Sequence, residues 1–139
     1  MQDLNETSDE RSKALDLALQ ALVEDKLYLF NMRERWIDNF YVQREQVLEG
    51  KPWLVRWLVG GIIYRSHVQT LHGQGTGRFS AEEARGFREE IWGRLEGLLG
   101  DSRRRRNGKG SFWCLGGEGP TECDVSVFGF VCSALVAER

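Results

Sequence analysis

The stretch GGEGPTECDVSVFGF, residues 116–130, contains the start of a helix in unusually full form. The first backbone N–H groups of a helix lack partners within the helix, and nearby side chains supply them. Thr121 is placed to accept a hydrogen bond from the N–H of Asp124, while the Asp124 carboxylate accepts one from the N–H of Thr121. This capping box, with Asp where Glu is commoner, predicts a helix from Thr121 almost to Arg139.

The residues that follow this cap are strongly apolar, which predicts a deeply buried helix. Pro120 before the cap and Val125 after it are placed to form a hydrophobic staple. Burial would include Asp124, whose carboxylate then needs hydrogen-bond donors, because an unpaired buried charge is costly. The apolar residues of the helix are Val125, Val127, Phe128, Phe130, Val131 and Leu135.

Two other segments of the sequence are informative together with this helix start. They are FWCLGG, residues 112–117, and TLHGQGTGRFSAEE, residues 70–83. FWCLGG followed by PTECDVSVFG, residues 120–129, resembles the C-terminal helical domain of the glutathione S-transferase superfamily, and residues 70–83 resemble a segment of one of its branches. The resemblance is strongest to the branch that contains the metaxin and failed axon connections proteins, although Phe79 stands where that branch usually has His.

Length and composition predict one globular domain, residues 1–139. The chain has 41% hydrophobic and 11% aromatic residues, and its net charge is -2. This charge provides no overall attraction to nucleic acid or to an anionic membrane, so we expect neither as a partner.

A cytoplasmic location is expected from the termini and the cysteines. Residues 1–12 lack the apolar core of a signal peptide, and the apolar run 52–64 is interrupted by Arg56 and too short to cross a bilayer. The three cysteines are an odd number without a close pair, so neither a disulfide framework nor a zinc site is expected. We expect Cys123, between two acidic residues, to be structural.

Helical periodicity predicts four helices and no strand, which makes the fold class an all-α helical bundle. The first helix starts near a capping box formed by Thr7 and Glu10. Continued to Leu48 it would be about 60 Å long, far more than the ~14 Å radius of gyration of such a domain, so we expect a break near Asp38 and Asn39. Its apolar stripe is Leu15, Ala18, Leu22, Leu29, Trp36 and Phe40.

The second helix is expected to begin with Pro52 at its first helical position, after Gly50 has ended the first helix. Gly60 and Gly61 are interpreted as packing glycines that let a neighbour approach. Apolar residues cover more than one face, which predicts a helix running through the middle of the bundle. They are Trp53, Leu54, Trp57, Leu58, Ile62 and Ile63.

The third helix is expected to start at a second capping box, formed by Ser80 and Glu83, and to run to about Leu99. Residues 101–111 have the composition of a loop, and Phe112 with Trp113 is expected to fold back against the core. The apolar stripe of the third helix is Phe87, Ile91, Leu95 and Leu98.

Three further features are each given a structural interpretation. Glycines 73, 75 and 77 precede a helix as in phosphate-binding loops, but no strand leads into them, so a turn is favoured; Arg78 is the residue there that could bind an anion or a carboxylate. The run Arg103–Arg106 contains no aromatic residue, which favours a solvated loop over a nucleic-acid or lipid site. His67 and His72 are five positions apart and do not share one helix face.

An aromatic and basic set on the first two helices is the stronger functional candidate. Periodicity alone makes its members core or groove residues. The resemblance implies more, because the first long helix of that domain lines the cleft for an apolar substrate. The members are Tyr28, Arg35, Trp36, Phe40 and Tyr64.

The resemblance also implies that the glutathione site and the catalytic residue belong to a separate, N-terminal thioredoxin-like domain. No strand pattern precedes the first helix here, and both prolines, Pro52 and Pro120, lie at helix starts. We therefore expect no catalysis by this chain alone, and glutathione as a cofactor only if such a domain is supplied. Two hypotheses follow: part of a transferase, or a non-enzymatic interaction module. The expected partner is the thioredoxin-like domain, another protein, or a second copy in a homodimer.

Overall fold

The computed structural model describes residues 9–137, and within this range every regular element is a helix. The predicted all-α class is therefore confirmed. The α-helices, named in chain order, are α1 (Glu10–Ala21), α2 (Tyr28–Arg33), α3 (Phe40–Val47), α4 (Trp53–Gly73), α5 (Ala81–Arg105) and α6 (Glu122–Ala137). Two π-helical segments, Leu22–Leu27 and Glu34–Asp38, and a 3₁₀ turn, Thr76–Arg78, complete the set.

The described chain divides into two compact units. The central unit is residues 28–89, and the terminal unit combines residues 9–27 with 90–137.

The predicted break in the first helix is confirmed at Asn39. Its N–H donates to the carbonyl of Glu34 over 2.8 Å, which ends the second π segment, and α3 starts at the next residue. The predicted stripe is only partly correct, because Leu15 and Ala18 are exposed whereas Val23 and Leu27 are buried. A π-helix bonds residue i to i+5, so each such segment rotates the side chains that follow it. Thr7 of the predicted capping box lies outside the described residues.

In the central unit, α3 and α4 approach each other closely at Gly60. A Cβ at Gly60 would lie 2.7 Å from Cδ of Arg44, whereas a Cβ at Gly61 would meet nothing within 4 Å. The packing interpretation is therefore confirmed for Gly60 alone. Pro52 has an extended backbone and precedes the helix as its N-cap, one position before the predicted one.

The prediction that α4 runs through the middle of a core is wrong. Only Gly60 and Leu71 of this helix are buried, while Trp53 is 72% and Trp57 is 65% exposed. A helix with apolar residues on two faces buries both only if other elements cover both. The other elements of the central unit leave one face of α4 open.

The start of α5 has the predicted cap. The N–H of Ser80 donates to Oε2 of Glu83 over 2.8 Å, and the N–H of Glu83 donates to Oγ of Ser80 over 3.1 Å. The helix continues to Arg105, six residues beyond the predicted end. Cationic side chains in a last turn favour this extension, because they face the negative end of the helix dipole.

In the terminal unit, α1 packs against α6. Buried apolar residues of this unit include Val23, Leu27, Leu95 and Val127. The expected deep burial of α6 is wrong, since Val125, Phe128 and Leu135 are 60–70% exposed. One face of α6 is buried and the other is open.

Candidate functional site

The predicted aromatic set forms two ring pairs in the central unit. The indole of Trp36 stacks on the imidazole of His67 at 4.9 Å, and the ring of Phe40 meets Tyr64 edge-on at 5.0 Å. The first pair joins the second π segment to α4, and the second pair joins α3 to α4. Burial lowers the pKa of His67 below its usual value, because the charged imidazolium is harder to solvate there.

Tyr28 and Arg35, the other members of the predicted set, have different surroundings. Tyr28 is 49% exposed, and Arg35 is half-buried. Neither lines the cavity of about 180 Å³ that the central unit contains.

That cavity is lined mainly by charged groups, which belong to the second π segment and to α5. Two acidic residues, Glu34 and Asp38, line it together with Arg85, Arg88 and the ring of Phe30. Glu34 and Arg88 form an ion pair. Burial lowers the pKa of Arg88, although the neighbouring Glu89 opposes this effect. A cleft of this polarity suits a charged ligand better than the apolar substrate that the resemblance implies.

The glycine-rich turn is held by Arg33 rather than by Arg78. Nη1 of Arg33 donates to the carbonyl oxygens of Thr76 at 3.3 Å and Phe79 at 2.7 Å, whereas Arg78 is exposed. A Cβ at Gly77 would come within 3.0 Å of the backbone nitrogen of His72. The glycine therefore serves close packing of the turn onto the end of α4, and sequence reasoning missed the role of Arg33.

One surface of the central unit is strongly apolar and open. We name it the α4 face, and it consists of five residues of that helix that are 56–72% exposed: Trp53, Leu54, Trp57, Leu58 and Ile62. Spacings of three and four residues place several of them in one row. Tyr41, Val42 and Val47 of α3, which packs against α4, are also exposed.

The start of α6 differs in one bond from the predicted capping box. Oδ2 of Asp124 accepts from the N–H and from the hydroxyl of Thr121, both at 3.0 Å. Thr121 thus donates its hydroxyl rather than accepting from the Asp124 N–H, which instead bonds the Thr121 carbonyl at 3.2 Å. A hydroxyl can donate as well as accept, and the carboxylate oxygen is a strong acceptor for its proton.

Asp124 is buried as predicted, at 8% exposure, and it also holds the preceding loop. Its Oδ1 accepts from the backbone N–H of Cys114 over 2.7 Å. The same fold brings the thiols of Cys114 and Cys123 together beside the carboxylate, with all ligand atoms within 4.8 Å. The hydrogen bond to Cys123, burial and Asp124 raise the pKa of the Cys114 thiol well above its usual range.

Sequence reasoning missed this cluster because the two cysteines are nine positions apart and separated by a glycine-rich turn. The spacing resembles no common metal motif. The available signal was the position of Cys123 next to a capping Asp, together with a second Cys in the loop that precedes this helix.

The arginine run at the end of α5 has structural contacts. Arg106 donates from Nη2 to the carbonyl oxygen of Gly117 over 2.6 Å, and Arg104 pairs with Asp101. The predicted loop is therefore wrong for residues 101–105, which are helical, and the side chain of Arg106 ties the loop after α5 to the turn before α6.

The chain matches no protein-family model, and no solved structure matches it at a significant level. None of the described helices has the length and apolar character needed to cross a membrane.

Proposed function

We propose that this chain is a non-catalytic helical interaction module that pairs with a second copy of itself through the α4 face. The observation that carries the proposal is the exposure of Trp53 and Trp57 on one helix. Large exposed apolar patches on soluble proteins mark sites of association. The resemblance to the transferase C-terminal domain supports the same role, because it implies binding without catalysis by this chain alone.

The exposed apolar area of the α4 face is comparable with the area that each subunit of a dimer buries. A typical interface buries about 800 Å² on each partner, and an aromatic side chain buries about 150–250 Å². With Trp53 72% and Trp57 65% exposed, the two rings alone supply roughly a third of that area. Leu54, Leu58 and Ile62 of the same face add to it.

The charge distribution also favours a second copy. No Asp, Glu, Lys or Arg lies between Trp57 and Tyr64. The same segment of two copies can therefore pack together without burying a charge. Arg56, at the edge, is already paired with Glu45 of the same copy. A two-fold interface, in which the same patch serves both subunits, fits this arrangement.

Sedimentation equilibrium of the purified chain over a range of concentrations tests the proposal. We expect a reversible dimer, and we expect Trp57→Ser and Leu58→Glu to be monomers with unchanged helical circular dichroism. Phe128→Ser is the matched control, because Phe128 is 70% exposed but belongs to α6. This variant should remain a dimer.

Three results would overturn the proposal. They are a monomer at every concentration, a dimer that Trp57→Ser leaves intact, and a monomer that binds anionic lipid vesicles through the α4 face instead. The last result would replace a protein partner with a membrane surface.

A further inference from the structure

Cys114, Cys123 and Asp124 form a compact set of metal-ligand groups at the start of α6. The two sulfur atoms and a carboxylate oxygen lie within 4.8 Å of one another. The three residues are 4%, 0% and 8% exposed. Thiolates and carboxylates are ligands that Zn²⁺ takes in tetrahedral sites.

Asp124 can bind an ion without losing its structural hydrogen bonds. Oδ1 accepts one bond, from the N–H of Cys114, and Oδ2 accepts two from Thr121. A carboxylate oxygen has about two lone pairs, so Oδ1 retains one for a metal. The existing bonds also orient the carboxylate, as outer-shell partners of metal ligands do.

The surroundings provide a fourth potential ligand atom, an oxygen, close to the ligand set. The hydroxyl of Thr121 lies 3.3 Å from Sγ of Cys123 and 3.0 Å from Oδ2 of Asp124. With both thiols deprotonated the set carries three negative charges, which a divalent cation would largely offset. Such a charge cluster is otherwise costly to bury.

We propose that Cys114, Cys123 and Asp124 bind one divalent ion of the Zn²⁺ class. Each thiol releases its proton to solvent as its sulfur coordinates the ion. Because Cys114 belongs to the loop before α6 and the other two ligands to the first turn of α6, the ion would join this loop to the helix. The site is buried, so its role is structural rather than catalytic. This inference does not depend on the α4 face.

The test titrates the full, reduced, metal-free chain with Cd²⁺, which reports thiolate ligation through ultraviolet charge-transfer absorption, and then displaces it with Zn²⁺. We expect saturation at one equivalent with the intensity of two thiolates. Cys114→Ser and Cys123→Ser should each weaken binding by at least the roughly 10–100-fold that loss of an outer-shell partner costs. Cys132→Ser is the matched control, because Cys132 is half-buried on α6 but outside the cluster, and it should bind as the unmodified chain does.

The proposal is overturned if no charge-transfer band saturates at one equivalent, if the band has the intensity of a single thiolate, or if Cys132→Ser abolishes it. Should a serine variant fail to fold, the unmodified chain decides the question. A thermal midpoint that Zn²⁺ raises and a chelator restores supports the site, because a ligand of the folded state stabilises that state. An unchanged midpoint overturns it.

Discussion

Asp16 and Cys123 are 107 positions apart in the chain, yet Oδ1 of Asp16 accepts a 3.0 Å hydrogen bond from the backbone N–H of Cys123. Asp16 is only 1% exposed, and its Oδ2 accepts from Nε2 of Gln20 over 2.7 Å. A side chain of α1 thus caps the first turn of α6. A carboxylate at this end of a helix also interacts favourably with the helix dipole.

Replacement of this tertiary cap should destabilise the protein. We expect Asp16→Ala to lower the free energy of unfolding by about 1–3 kcal/mol, because the Cys123 N–H would remain buried without an acceptor. Urea denaturation measures the loss. Asp25→Ala, at an exposed position of the adjoining π segment, should change it by less than about 0.5 kcal/mol. Equal effects of the two variants would contradict a capping role.

Asp124 should be as important as Asp16 for the start of α6. Asp124→Ala removes the acceptor of three donated bonds, and we expect a loss of about 1–3 kcal/mol in the free energy of unfolding. Asp124→Asn keeps one carbonyl oxygen and should lose less. Glu118→Ala in the exposed turn before α6 is the control, and an Asp124→Ala variant as stable as this control would disprove the role.

Two adjacent glycines of α4 should respond to alanine with opposite signs. Gly61→Ala should stabilise the chain by about 0.5–1 kcal/mol, because alanine loses less backbone entropy in a helix and its Cβ meets nothing within 4 Å. Gly60→Ala forces Arg44 away and should destabilise by about 1–3 kcal/mol. Thermal unfolding of both variants compares them, and a stabilised Gly60→Ala would show that Arg44 moves without cost.

The cap of α5 should respond to pH through Glu83. The backbone and side-chain hydrogen bonds of Ser80 hold the pKa of Glu83 below its usual value. Because the folded-state pKa is the lower one, the contribution of this carboxylate is present above the unfolded-state pKa and lost as pH falls through the folded-state pKa. An NMR titration of Ser80→Ala should show the Glu83 pKa moving up toward normal, and Ser126→Ala should leave it in place. If the Glu83 pKa stayed unchanged in Ser80→Ala, the capping bonds of Ser80 would not be its cause.

Glutathione distinguishes the interaction module from the transferase hypothesis. We expect millimolar glutathione to leave the thermal midpoint of the purified chain unchanged, since only a ligand of the folded state raises it. Oxidised glutathione at equal concentration controls for non-specific effects. A rise in the thermal midpoint with reduced glutathione alone would favour the transferase hypothesis over the interaction module.

Local signals in the sequence predicted the features that depend on neighbouring residues. The Ser80 and Glu83 cap and the helix break at Asn39 follow from side chains a few positions apart and from the length that one helix can reach. The buried Asp124 also follows, because an acid at the third position of a helix start has backbone donors nearby.

The sequence by itself determined that the chain is all-helical and where most helices begin, because helical periodicity and capping act over three or four residues. Only the tertiary structure decided which apolar surfaces are covered. The two faces of α4 look alike in sequence, but one remains open because no other element of the central unit packs on it. Tertiary structure also decided that Asp16 caps α6 and that Cys114 meets Cys123, since contacts between distant segments depend on packing rather than on local spacing.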